Sequence, residues 1–166
     1  MLSNQEVAEA LLEKFGDQVF DFEEPYGLLT LSTSREEIIP LLDFLFNHKT
    51  YQFIFLTDIT GIHYPDNADK EFMVVYHMHS FVHNFRVRIK VSLAEVDLHI
   101  PTATGLFASA NWMERETYDF FGIIFDGHPN LKRILNIEEM DYFPMRREFP
   151  MEDATREDKT DALFGR

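Results

Sequence analysis

The first hydrophobic stripe is Val7, Ala8, Leu11, Leu12 and Phe15, spaced as one face of a helix. Ser3 stands ahead of it with Glu6 three residues on, which predicts a capping box, and Gly16 ends the pattern. The period then changes to two. Residues 18–23 alternate, Glu24-Pro25-Tyr26-Gly27 signals a turn, and residues 28–31 resume, so the pair predicts a hairpin. Helical spacing returns with Ile38, Leu41, Leu42, Leu45 and Phe46, behind a second Ser/Glu pair, Ser34 and Glu37. Pro40 sits late for a first-turn proline, so this helix is expected to start after Ser34 or to bend. Residues 51–57 are apolar almost throughout, the pattern of a central strand covered on both faces. Asp58-Ile59-Thr60-Gly61 is expected to carry that strand into a polar loop containing His63. Two further strands, 71–79 and 84–92, flank a short turn. In the second, Phe85, Val87, Ile89 and Val91 alternate with Arg86, Arg88 and Lys90, so three cations share one face. A solvated face is the first reading of that stripe and an acidic partner the second.

Residues 93–110, with Pro101 and Gly105, predict a connecting segment, partly helical. A helix follows. Asn111 is placed to cap it with Glu114 in capping-box position, and Gly122 suits the left-handed residue after its end. Arg115 and Asp119, four apart, are expected to pair, with Met113, Thr117, Phe120 and Phe121 as the apolar side. Behind it lie a turn, Asp126-Gly127-His128-Pro129, and an alternating basic and apolar run, Leu131-Lys132-Arg133-Ile134-Leu135. Two readings of this crowded stretch stand side by side: a surface helix with an internal ion pair, or an interface where charge is held against a partner. Residues 136–150 keep scattered aromatics without a period, and 151–166 are charged and poor in apolar residues. The whole predicts an α/β (α+β) two-layer domain, a mixed or antiparallel sheet of about five strands covered by helices. Residues 1–135 form the globular domain. Residues 136–166 form an extended tail that binds a partner, or frays at its last ten or so residues.

With 166 residues and 17 phenylalanines, the chain can bury a core of useful size. Its formal charge of −14 argues against nucleic acid and against direct binding to an anionic membrane surface. Cysteine is absent, which excludes disulfides, thiolate zinc sites and cysteine-ligated iron–sulfur clusters. Neither a signal peptide nor an apolar run long enough to span a membrane is apparent, so a soluble chain is expected, cytoplasmic in a bacterium.

The histidines carry the best enzyme signal. His77 and His79 alternate on a strand and His83 follows the turn, enough for a zinc site with an open position. No carboxylate nearby is evident to orient them. Glu114 and Glu116, two apart on a helix, do not face each other as an acid–base pair would, and Arg115 would hold Asp119 ionised. No phosphate-cradling glycine run or nucleophile elbow is present.

The order Glu114-Arg115-Glu116, Asp119, Phe120-Phe121, His128, Lys132, Ile134-Leu135 resembles the signature of one family. That family is the C subunit of bacterial NADH–quinone oxidoreductase (respiratory complex I), the 30-kDa subunit of mitochondria. Ala110-Asn111-Trp112 ahead of the motif, Phe143 to Pro150 after it, and Leu56 to Gly61 earlier extend the likeness over most of the chain from about residue 30. The resemblance implies a non-redox subunit of the hydrophilic arm, with no catalytic, cofactor-binding or metal-binding residue of its own. FMN, iron–sulfur clusters and quinone would belong to the complex. Its implied neighbours are the D subunit, which helps shape the quinone cavity, and the cluster-bearing subunits B and I. Its implied place is peripheral, on the cytoplasmic side of the inner membrane. Carried over residue by residue, Glu114, Arg115, Glu116, Asp119, Phe120, Phe121, His128, Lys132 and Arg133 become structural or interface residues, with Arg146 and Arg147 from the closing segment. The resemblance does not specify the electron donor. The alternative is a stand-alone metal-dependent enzyme using His77, His79 and His83.

Overall fold

A computed structural model describes residues 2–149. Helix α1, Asn4–Phe15, begins at the predicted capping box: Ser3 accepts from the Glu6 amide, and the Glu6 carboxylate accepts from the Ser3 amide. It buries Val7, Leu11 and Phe15. Strands β1 (Val19–Glu23) and β2 (Leu29–Thr33) form the expected antiparallel hairpin, with an irregularity in β1 where Asp21 takes a positive φ. Helix α2, Ile38–Asn47, starts after Ser34, as the position of Pro40 predicts, and has no side-chain cap. The Ser34–Glu37 capping box is therefore not formed; those residues make a turn, and Pro40 falls in the helix's first turn, where its missing N–H costs nothing.

Strands β3 (Phe55–His63), β4 (Phe72–Ser80) and β5 (Phe85–Leu93) complete a five-stranded sheet in the order β1-β2-β5-β4-β3. Strands β2 and β5 run parallel and the other pairs antiparallel, so the sheet is mixed. The run at 51–57 is not a central strand. Its first four residues are loop, and β3 lies at the sheet edge, with Ile54 50% and Phe55 43% exposed. Its apolar density arises because Phe53 plugs the core before the strand begins, and only alternate residues of β3 turn inward. Asp58 to His63 belong to the strand and not to the loop beyond it.

Beyond β5, strand β6 (His99–Pro101) pairs in parallel with β7 (Ile124–Asp126). Between them runs helix α3, Ala110–Phe121. The segment expected to be partly helical thus holds a short strand and turns.

One face of the large sheet carries the core. Leu29, Leu31, Leu56, Ile59, Val74, Tyr76, Met78, Val87, Ile89 and Val91 meet the apolar stripes of α1 and α2 in a single cluster. Val75, on the opposite parity of β4, is buried but lies outside that cluster. The helices therefore pack on one side, as two layers require. Helix α3 crosses β3 on this side. Phe121 lies so close over Gly61 that a Cβ there would stand 2.5 Å from the ring, and the Thr117 hydroxyl, 2.9 Å from the Met113 carbonyl of its own helix, also lies 3.3 Å from the Ile59 carbonyl.

Candidate functional site

Helix α3 is the hub. Its sheet-facing stripe is Ala110, Glu114, Thr117 and Phe121, all buried. Glu114 is not part of a capping box: the helix starts at Ala110 without a side-chain cap, and Glu114 is fully enclosed. One carboxylate oxygen accepts from the Thr102 hydroxyl at 2.5 Å and the other from the Ala103 amide at 2.6 Å, tying the turn after β6 to the helix. Burial pushes its pKa up to about 7, against the lowering effect of those two hydrogen bonds. Both oxygens face donors within the chain, so this raised value reports enclosure and not a carboxyl poised over a cleft.

Arg115 and Asp119 share a face, as expected, but they do not pair. They grip one segment from opposite polarities. Arg115 donates to the carbonyls of Lys132 and Arg133 at 3.1 and 3.2 Å. Asp119, fully buried, accepts at one oxygen from the consecutive amides of Ile134, Leu135 and Asn136 at 2.9, 2.8 and 2.9 Å. Successive N–H groups converging on one oxygen form an anion nest. The other oxygen takes the Arg133 guanidinium at 2.8 Å and the Asn136 side chain at 3.1 Å. Burial alone would raise the Asp119 pKa; the amides and Arg133 outweigh it and hold the carboxyl well below the usual range.

Arg133 extends the clasp. It also donates to the carbonyls of Met140 and Tyr142, both at 2.8 Å, and its guanidinium stands 4.9 Å from the Phe143 ring centre. The helix ends at Gly122, left-handed at φ 79° as predicted. There Met145 and Arg146 take over, donating to the Phe120 and Phe121 carbonyls. The Arg146 guanidinium lies 4.9 Å from both the Phe72 and Phe143 ring centres. A Cβ on Gly122 would meet Phe143 and Arg146 at 2.6 and 2.8 Å, so this close approach demands glycine on two counts. His128 reaches the Asn111 carbonyl from the loop after β7, at 3.1 Å.

This constellation can order chain, and among the described residues it presents no cleft with free acid, base or nucleophile. A family model described as respiratory-chain NADH dehydrogenase, 30 Kd subunit, matches residues 31–155. The chain belongs to this family. The C subunit of the NADH-quinone oxidoreductase of Citrifermentans bemidjiense is 40% identical over 157 residues, 95% of this chain and 96% of that protein. The C 1 subunit of the Rhizobium meliloti enzyme is 42% identical over 146 residues, 88% of this chain and 72% of that one. The chain spans half the length of the corresponding Nocardioides sp. protein that it matches. Among solved structures, the trypsin-resistant fragment (1–134) of Nqo5 superposes with a TM-score of 0.65 at 34% identity, covering 76% of this chain and 98% of that one. A structure of the archaeal membrane-bound sulfane sulfur reductase shares the fold, with a TM-score of 0.74 over 89% of this chain and 85% of that one, at 23% identity.

The residues singled out in the sequence have distinct physical roles here. Glu114, Arg115, Asp119, His128 and Arg133 are brought together around α3, each holding backbone of another segment. Glu116 is exposed on the helix, and Lys132 contributes its carbonyl while its side chain faces outward. Phe121 packs on Gly61, and Phe120 lies at the core margin. The Arg147 amide donates to Nδ1 of buried His63, and its side chain is exposed. Thr102, Ala103 and Asn136 complete the site and carried no sign in the sequence, since plain polar and small residues gain this role only from what the fold sets beside them.

The histidines predicted as a metal cluster have separate partners. His77 accepts from Arg88, His79 contacts Asn84, and His83 meets the Thr50 carbonyl. Asp58, on the neighbouring strand, is a carboxylate 4.0 Å from His77 Nδ1 that the sequence order did not place there. Burial and the Arg88 charge lower the His77 pKa, outweighing Asp58. Among the described residues, no three His or carboxylate side chains are placed to hold a metal ion together.

Proposed function

We propose that the chain is a non-redox structural subunit of the hydrophilic arm of a proton-translocating NADH:quinone oxidoreductase. In this reading, electrons pass from NADH through FMN and iron–sulfur centres on other subunits to quinone. The chain's task is to position neighbours, the D subunit beside the quinone cavity and the cluster-bearing subunits B and I, on the cytoplasmic side of the membrane. Contact with the membrane comes only through the complex, and the chain itself binds no cofactor.

The observation that carries the reading is the clasp of Asp119 and Arg133 on residues 133–142. A segment without regular structure is fixed by buried charge while two of its apolar side chains stay outside: Leu135 is 63% and Ile137 67% exposed, with Trp112 near the start of α3 at 62%. Ordered backbone with outward apolar side chains is what a preformed interface requires.

The test is an affinity pull-down of tagged full chain from mildly solubilised membranes, assayed for NADH-dependent quinone reduction. Flavin- and cluster-bearing subunits should co-purify, and should be lost on truncation after Leu135. Recovery of the chain alone from the soluble fraction would overturn the assignment.

A further inference from the structure

The helix-free face of the sheet reads in rows across the strands. One row is Phe55–His79–Arg86; the next is Asp58–His77–Arg88–Thr30–Glu23; the third is Thr60–Val75–Lys90–Ser32–Phe20. The three cations of β5 therefore stand one per row on a molecule of net charge −14. Their compensation is uneven. Lys90 lies 3.7 Å from Glu23, and Arg88 is turned to the His77 imidazole at 2.8 Å. Arg86, exposed, has no carboxylate within ion-pair distance among the described residues.

The end of the sheet with the least compensated charge also carries an apolar corner. Phe55 and Phe81 have ring centres 5.1 Å apart, and Phe81 stands 4.9 Å from His79. Ile54, Phe55, Phe81 and Val82 are 50, 43, 59 and 63% exposed. A cluster of large apolar side chains rimmed by polar groups marks a contact surface more than scattered ones do. Its position on the helix-free face sets it apart from the α3 clasp.

We propose that Ile54, Phe55, Phe81 and Val82, with Arg86 and Arg88 beside them, form a docking surface for an acidic amphipathic segment of another protein chain. Charge complementarity selects that occupant: apolar side chains cover the corner while carboxylates meet the arginines. A second copy docking through the same face would oppose cation to cation, since a two-fold interface is self-facing. Nucleic acid would meet the repulsion of the whole molecule. This surface lies beyond the assembly role proposed above and does not depend on it.

A photo-crosslinking residue, p-benzoylphenylalanine, replaces Phe81 in the tagged full chain in its native cells, with Val96, 95% exposed at the far end of β5, as the control position. The expected result is an adduct from position 81 to one peptide of another chain rich in Asp and Glu. Arg86→Glu with Arg88→Glu should lower its yield at least tenfold, and the Val96 position should not yield it. Arg86→Glu alone, at an exposed site, should lower the yield in the same direction with an unchanged thermal midpoint. No adduct at position 81, an adduct to a second copy, to lipid or to nucleic acid, or one insensitive to charge reversal would overturn the proposal. Because the readout is the adduct itself, it separates from the pull-down: loss of the redox subunits with the acidic adduct intact would sink the assembly reading alone.

Discussion

Asp119 and Arg133 are both nearly inaccessible, with side chains 0 and 8% exposed. A buried pair of this kind adds little over a hydrophobic substitute, but removing one partner strands the other. Asp119→Ala leaves the amides of 134–136 without their acceptor and the Arg133 guanidinium without its counter-charge, bonded to carbonyls alone. It should lower unfolding free energy in urea by about 3–5 kcal/mol at pH 7. Arg115→Ala, which frees only carbonyls at the margin, should lower it by about 1–2 kcal/mol. Similar losses for the two would show that Asp119 does not anchor the segment. The two buried carboxyls of α3 also respond oppositely to pH. The depressed Asp119 pKa makes its contribution complete above the ordinary carboxylate range and lost progressively as pH falls below that range toward the lowered native value. Glu114 is raised from 4.5 to about 7, so the folded state holds a proton that the unfolded state has released. Its share of stability is present below about pH 4.5 and declines as pH rises to about 7. Glu114→Gln keeps an acceptor for Ala103 and removes the titration. Relative to the parent, it should gain up to ~3 kcal/mol between pH 4.5 and 8. A constant difference across that range would refute the buried-acid account.

At the scale of elements, the decisive contact is α3 on the edge strand β3. The Thr117 hydroxyl lies 3.3 Å from the Ile59 carbonyl and Phe121 covers Gly61, so the helix packs closely over the edge strand. Gly61→Ala drives a methyl into the Phe121 ring and should destabilise by about 1–3 kcal/mol. Phe121→Leu in the same chain should recover part of that loss. Additive effects in this double-mutant cycle would show that the two residues do not meet. The sequence pattern identified both partners as apolar or turn-like residues, but it had no access to their meeting. The same limit explains the 51–57 run. Near-continuous apolarity has the same appearance whether it comes from two covered faces or from a core plug, Phe53, followed by exposed Ile54 and Phe55.

For the molecule as a whole, the clasp joins residues 136–149 to the domain through Arg133, Met145 and Arg146. These contacts predict that the segment unfolds with the domain and not ahead of it. In hydrogen exchange, the amides of Ile134, Leu135, Asn136 and Met145 should be protected to the same degree as the middle of α3. Exchange near the free-peptide rate in a folded domain would contradict this.

Local chemistry alone determined much of this protein. The α1 capping box, the β1–β2 and β4–β5 hairpins, the left-handed Gly122 and the two-layer α+β class follow from period, turn residues and propensity, all of which act within a few residues, whereas the parallel β2–β5 pairing that makes the sheet mixed does not. The spacing of the motif was legible too, and it proved sufficient to mark the family. Tertiary structure decided the pairings. Arg115 and Asp119 lie four apart on one helix, the spacing of an ion pair, yet the amides of 134–136 and the Arg133 guanidinium offer Asp119 a denser set of donors. Glu114 looked like a cap until the turn at Thr102 and Ala103 closed over it. A buried charge goes to whatever donors the fold delivers, because leaving it unpaired costs more than any local preference can offset.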